Sequence, residues 1–110
     1  MLIVAVVFDF VPGGFERIKG EILDAIKNSR KEKGARIYDW ALDVTAPDRA
    51  IIFEVWDDQA ALDAHFTHPY MDTLVAALSA ANIRGDIKNY SAEIYDIAGK
   101  RDMGFVLPTA

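Results

Sequence analysis

Residues 35–56, ARIYDWALDVTAPDRAIIFEVW, carry the clearest structural pattern in the chain. Two runs rich in β-branched and aromatic residues, Ala35 to Val44 and Arg49 to Trp56, flank the short segment Thr45 to Asp48. Such residues favour strands, whereas proline and aspartate favour the turn between them. The stretch therefore predicts a β-hairpin.

The residues before the hairpin predict one strand and one helix. Leu2 to Phe10 reads LIVAVVFDF and is followed by Pro12-Gly13-Gly14, a pattern typical of a strand that ends in a turn. From Phe15 to about Lys31, apolar residues recur at helical spacing opposite a charged face, which predicts an amphipathic helix. We expect Gly34 to act as its C-terminal stop.

The residues after the hairpin predict two helical segments and a last strand. Asp57 or Asp58 can cap a short helix, and Pro69 suits the first turn of a second one. The predicted bounds are Gln59 to Phe66, Pro69 to about Asn82, and a strand from Ile87 to Ile97. The order β-α-β-β-α-β is typical of an α+β, ferredoxin-like fold: an antiparallel sheet with its helices on one face.

Length and composition exclude several classes of protein. The 110 residues fit one domain, which we place at residues 1–98, followed by a C-terminal tail, residues 99–110. A net charge of −5 without a basic run argues against nucleic acid as a partner. The absence of cysteine excludes a disulfide scaffold and a thiolate metal site. No apolar run is long enough for a membrane span, and we expect a cytoplasmic protein.

The predicted strands are apolar on both faces, although two helices can cover only one. In the first strand Ile3, Ala5 and Val7 oppose the apolar set that begins at Leu2. An apolar face left bare would be larger than monomers usually expose. We therefore expect a homodimer that packs sheet against sheet, with the tail packed on the partner subunit. The alternative is that the tail or long side chains fold back over that face.

The sequence offers few candidates for catalytic chemistry. His65 and His68 are the two histidines, and a metal site would need a third convergent ligand, so we predict no metal. Glu54 lies in an otherwise apolar strand, where a free carboxylate is costly, and His65 is its expected partner. This pair has two interpretations: a structural hydrogen bond, or a histidine that acts as general base or acid.

Several aromatic residues could converge near that pair. They come from the first three strands and from the start of the last helix: Phe8, Tyr38, Trp40, Trp56 and Tyr70. Core packing explains such residues in most proteins. A cavity lined by them would instead suit a flat aromatic ligand.

The segment Phe53 to Tyr70, FEVWDDQAALDAHFTHPY, resembles the antibiotic biosynthesis monooxygenase family of dimeric α+β barrels. The run GARIY, residues 34–38, is similar to that family's start of the second strand. The resemblance implies a homodimer with one pocket per subunit, between sheet and helices. It also implies oxidation of quinols or anthrone-like compounds by O2 without a cofactor. Trp56 matches a tryptophan of the anthrone-oxidising relatives, and His65 matches a histidine common in the family.

The resulting hypothesis is a cofactor-independent monooxygenase that oxidises a small aromatic substrate with O2. His65, Glu54 and Trp56 are its predicted catalytic residues, and Phe8, Tyr38, Trp40 and Tyr70 its predicted substrate-binding residues. Two alternatives remain open: an isomerase of a small hydroxy-ketone or lactone, and a non-catalytic dimeric ligand-binding or stress-response barrel. Arg36 stands where relatives usually carry an apolar residue, and the sequence predicts no role for it.

Overall fold

A computed structural model describes residues 1–109, so only the last residue of the predicted tail, Ala110, lies outside the described part. The predicted element order and the ferredoxin-like fold class are confirmed. The elements along the described chain are β1 (Leu2–Phe10), α1 (Gly14–Arg17), α2 (Lys19–Ser29), β2 (Ala35–Asp43), β3 (Ala46–Trp56), α3 (Gln59–His65), α4 (Pro69–Ile83) and β4 (Ile87–Asp96).

The four strands form one antiparallel sheet in the order β2-β3-β1-β4. The two inner strands, β1 and β3, hold most of the buried strand residues, because each has a neighbour on both sides. In this register Glu54 of β3 lies between Val4 of β1 and Tyr38 of β2. All three side chains therefore point to the same face, the one that the helices cover.

The first predicted helix is divided in two. The helix begins at Gly14, breaks at Ile18, whose φ of −120° leaves the helical region, and resumes until Ser29. Ile18, Ile22 and Ala25 are buried, so the predicted apolar face is confirmed although the helix is not continuous. The prediction missed the break because Ile18 keeps its place on the apolar face.

Gly34 does not end the helix, since α2 ends five residues earlier. A Cβ atom built on Gly34 would lie 2.2 Å from the Cβ of Ala61 in α3. The glycine therefore allows the chain before β2 to pack directly against α3.

The hairpin turn is shorter than predicted. β3 begins at Ala46 rather than Arg49, and only Val44 and Thr45 connect it to β2. The Asp43 carboxylate accepts hydrogen bonds from the backbone N–H of Thr45 at 2.8 Å and from its hydroxyl at 2.7 Å. These bonds fix the chain reversal at Val44 and Thr45, ahead of Pro47, which lies within β3.

Of the two candidate caps, Asp58 is the one that caps α3. Its side chain accepts a hydrogen bond from the backbone N–H of Ala61 at 2.8 Å. Asp57 instead accepts a hydrogen bond from Arg36 at 2.5 Å, which gives Arg36 a structural contact at the start of β2.

The second face of the sheet carries no helix. Ile37, Ile51 and Phe53 on this open face are 38%, 40% and 41% exposed. The apolar residues of the tail, Met103 to Leu107, are also exposed, so the tail does not cover the face. Among the described residues, no helix combines the length and apolar character that crossing a bilayer requires.

Candidate functional site

A cavity of about 340 Å³ lies between the sheet and helices α3 and α4. Most of its wall is apolar and comes from all four strands and both helices. Five of the predicted site residues line it: Phe8, Tyr38, Trp40, Glu54 and His65. Phe66, Val75 and Ile94 also line it and are about half exposed, so the cavity opens to solvent along this apolar rim.

Aromatic rings form one wall of the cavity. The rings of Phe8 and Trp40 stack with their centroids 6.0 Å apart, and the Trp40 Nε1–H donates a hydrogen bond of 3.4 Å to the Tyr38 hydroxyl. Burial raises the pKa of Tyr38 to about 12. The wall can therefore stack against a flat ligand while Tyr38 keeps its proton at neutral pH.

Glu54 is an acidic group on this largely apolar wall. Its side chain is buried, and its Oε1 accepts a hydrogen bond of 2.9 Å from the Nε1–H of Trp56. Residues two apart in a strand share a face, which is why this pair meets. Burial raises the pKa of Glu54 to about 7, although the bond from Trp56 opposes the shift. The carboxyl group can therefore gain or lose a proton near neutral pH.

His65, the last residue of α3, is the basic group of the cavity. Its side chain is 1% exposed, and its ring centroid lies 4.6 Å from that of Trp56. Its Nδ1 lies 2.7 Å from Oε2 of Glu32. Because a carboxylate only accepts, Nδ1 carries the proton and Nε2 is left to bind a proton from a ligand. Burial lowers the pKa of His65, which favours the neutral imidazole.

The predicted hydrogen bond between Glu54 and His65 is wrong. Each residue has another partner: Trp56 donates to Glu54, and Glu32 pairs with His65. The prediction failed because it considered only residues near each other along the chain. Glu32 is 33 positions from His65, and the segment after α2 brings it there.

Glu32 is the functional candidate that the sequence reasoning missed. It follows α2 in the run Lys31-Glu32-Lys33, which looks like an ordinary charged surface, yet its side chain is only 9% exposed. Besides His65, its carboxylate accepts a hydrogen bond from the Tyr70 hydroxyl and lies 3.4 Å from Nε2 of His68. No sequence signal marks it out.

Two predicted site residues lie outside the cavity wall. Trp56 is fully buried behind it and holds Glu54. Tyr70 instead lines a groove of about 710 Å³ on the outer surface, together with Glu32 and His68. We refer to this space as the outer groove. Burial and the bond to Glu32 raise the pKa of Tyr70, so its hydroxyl acts as a donor.

The arrangement is suited to proton transfer in an apolar space. A neutral imidazole and a carboxyl group with a pKa near neutral reach the same cavity, and aromatic rings can orient a ligand beside them. Within residues 1–109, no three His, Cys, Asp or Glu side chains are grouped as a metal ion would require.

Comparisons with known proteins agree with this architecture. A family model described as antibiotic biosynthesis monooxygenase matches residues 1–77. A candidate antibiotic biosynthesis monooxygenase from Deinococcus radiodurans superimposes with a TM-score of 0.80 at 18% identity, covering 94% of this chain and 98% of its own. Rv0793 from Mycobacterium tuberculosis superimposes with a TM-score of 0.78 at 18% identity, covering 92% and 98%. At this identity the two structures show a shared fold.

One curated relative is similar in sequence over a shorter segment. The uncharacterized protein sll1783 of Synechocystis is 42% identical over 50 residues, which are 46% of this chain. The matched segment spans about a third, 34%, of that protein's length.

Proposed function

Because the chain belongs to the antibiotic biosynthesis monooxygenase family, we propose that it oxidises a small phenol or quinol with O2 and without a cofactor. The observation that carries this proposal is the neutral imidazole of His65 on the wall of an apolar, aromatic-lined cavity. Such a group can take the hydroxyl proton of a substrate that the aromatic wall orients.

The chemistry needs only the substrate and O2. Nε2 of His65 accepts the phenol proton, and the electron-rich anion then transfers electrons to O2. A C–O bond forms to give a peroxide, whose O–O bond breaks as the carbon loses its hydrogen. One oxygen atom remains on the carbon as a carbonyl, and the other leaves as water. The substrate supplies all the electrons, so no further reductant is required.

Glu54 would assist the breakdown of the peroxide. With a pKa of about 7, part of the Glu54 population is protonated at neutral pH and can donate a hydrogen bond to the peroxide or to the leaving oxygen. Trp56 would act as a positioning residue, because its Nε1–H holds the Glu54 carboxyl group.

The test is O2 uptake by metal-free protein with a panel of quinols and phenols, including menadiol. We expect uptake with at least one compound, and a decrease of about 10²- to 10⁴-fold in His65→Gln because the base is lost. Asp63→Asn, on the exposed side of the same helix, is the matched control and should keep full activity. If the wild-type protein consumes no O2 with any compound in the panel, the oxygenase proposal is wrong.

An isomerase is the second candidate, because Glu54 and His65 both reach the cavity and could remove and return a proton at two carbons. Such a reaction would proceed equally well without oxygen. Product analysis under nitrogen with small hydroxy-ketones and lactones distinguishes the two. In a non-catalytic ligand-binding barrel, His65→Gln would change stability and ligand affinity, and no compound would be turned over.

We also propose that two copies form a homodimer through the open face of the sheet. Ile37, Ile51 and Phe53 leave an apolar area in water that a second copy would cover. The tail supports the same assembly, because Phe105 and Leu107 are 68% exposed on their own chain and would be buried against a partner. We further propose that the protein is cytoplasmic.

Sedimentation of a charged variant tests the dimer. Phe53→Glu would place a carboxylate at the centre of the proposed interface, and we expect folded monomers at micromolar concentration. Val44→Glu replaces an exposed apolar residue of the hairpin turn and should remain dimeric. Deleting residues 101–110 should weaken the dimer if the tail packs on the partner. A wild-type protein that sediments as a monomer would contradict the assembly.

A further inference from the structure

We propose that Glu32 and His68 form a proton path from the imidazole of His65 in the cavity to the outer groove. The inference rests on the proposed function, in which His65 takes a proton from the substrate. It assigns a role to two residues that the reaction itself does not touch.

The three side chains lie in series from the cavity to the outer groove, with Glu32 between the two histidines. Nδ1 of His65 lies 2.7 Å from one oxygen of Glu32, and Nε2 of His68 lies 3.4 Å from the other. Exposure rises along the series, from 1% for His65 and 9% for Glu32 to 41% for His68. The path thus begins at a buried base and ends at a group that water reaches.

The other titratable groups near His65 and Glu32 have different roles, and Glu93 of β4, which also lines the cavity, is exposed. Tyr38 of β2 and Glu54 of β3 face the same cavity, where Tyr38 keeps its proton and Glu54 is held by Trp56. Tyr70 of α4 donates to Glu32, and its raised pKa makes it a fixed donor. The rings of Trp56 and Phe66 beside His65 carry no proton that titrates.

The proton is accounted for at each step. When Nε2 of His65 takes the substrate proton, the Nδ1 proton moves to Oε2 of Glu32. A rotation of the carboxyl group presents that proton to Nε2 of His68, which accepts it. The reverse sequence returns a proton to Nδ1 as the Nε2 proton leaves with the departing oxygen. No bond other than N–H and O–H changes.

Moving the Nδ1 proton of His65 outward prolongs the life of the substrate anion. An imidazolium at His65 would return its Nε2 proton to the substrate anion before O2 reacts. Loss of the Nδ1 proton to Glu32 and His68 leaves a neutral imidazole, whose Nε2–H is a much weaker acid and stays on the ring beside the anion.

Exchange of the His65 ring hydrogen tests the path without any substrate. By ¹⁵N NMR we expect the Nδ1–H of His65 to exchange with water at least about tenfold more slowly in His68→Gln than in the wild type. Lys33→Gln, which also lines the outer groove, is the matched control and should exchange at the wild-type rate. Glu32→Gln can still hydrogen-bond to His65 but cannot take up and release a proton near neutral pH, so it should slow exchange as well.

An unchanged exchange rate in His68→Gln would overturn the path, even if Glu32→Gln slowed exchange, because Glu32 would then only orient His65. In O2-uptake assays, His68→Gln should lower kcat with little change in KM, and imidazole added to the buffer should restore it. Absence of wild-type uptake together with slowed exchange in His68→Gln would overturn the oxygenase and support the path. Normal O2 uptake by the wild type together with an unchanged exchange rate in His68→Gln would support the oxygenase and overturn the path.

Discussion

The helix-covered side of the sheet has two ends that are built differently. At one end lies an apolar cluster around Phe10, Ile18 and Ile22, whose buried members are all hydrophobic. At the other, Tyr38 and Trp56 pack together with the ionisable groups Glu54 and His65. Burial at the first end stabilises the fold. Burial at the second shifts pKa values and costs stability unless each polar group is bonded.

Met71 and Leu74 of the apolar cluster also line the cavity, but its two buried ionisable groups, Glu54 and His65, both come from the second end. A protein whose only requirement was stability would fill this end with hydrocarbon. The two ends should therefore respond differently to substitution and to pH.

The largest effect on stability is expected at the apolar cluster. Phe10 is fully buried, and Phe10→Ala should lower the free energy of unfolding by about 3–5 kcal/mol, because transfer and cavity terms add. Urea denaturation measures this loss. Leu23→Ala, on the exposed side of α2, should stay within about 0.5 kcal/mol. A loss at Phe10 no larger than at Leu23 would contradict the distinction between the two ends.

Glu54, at the polar end, should make the free energy of unfolding depend on pH. The hydrophobic residues of the apolar end carry no group that titrates. The pKa of Glu54 is raised to about 7 in the folded protein, so the unfolded chain releases this proton first as pH rises. Wild-type stability relative to Glu54→Gln should therefore fall between pH 4.5 and pH 8, by at most about 3 kcal/mol. Glu16→Gln, an exposed control, should show no such difference. A pH-independent difference for Glu54→Gln would mean that Glu54 is not desolvated.

The smallest effect on stability is expected at Gly34, which packs against Ala61 of α3. Gly34→Ala would force its new Cβ against Ala61, and we expect a loss of about 1–3 kcal/mol in urea denaturation. Gly20→Ala is the matched control, since a Cβ there meets nothing within 4 Å. It should raise stability by about 0.5–1 kcal/mol, because glycine is unfavourable within a helix. Equal effects at both glycines would exclude the close contact with α3.

The apolar end could be predicted from the sequence far better than the polar end. Helical spacing predicts the apolar face on which the buried Ile18, Ile22 and Ala25 lie, and runs of β-branched and aromatic residues predict all four strands, with only the start of β3 misplaced by three residues. Periodicity reports which side of an element faces the core, and this needs only local information. At the polar end, spacing put Glu54 and Trp56 on one face but paired His65 with the wrong carboxylate.

The order of the elements, the family, and an acid and a base near the helix-covered face could all be predicted from the residues. Which polar atoms meet depends on how distant segments pack: Trp56 bonds to Glu54, and His65 to Glu32. Hydrophobic burial and hydrogen bonding differ in this respect because they act over different ranges. Hydrophobic burial depends on how much apolar surface is covered, so it can be predicted from the spacing of apolar residues along each helix or strand. A hydrogen bond depends on distances within a few tenths of an ångström, which exist only after distant segments have packed.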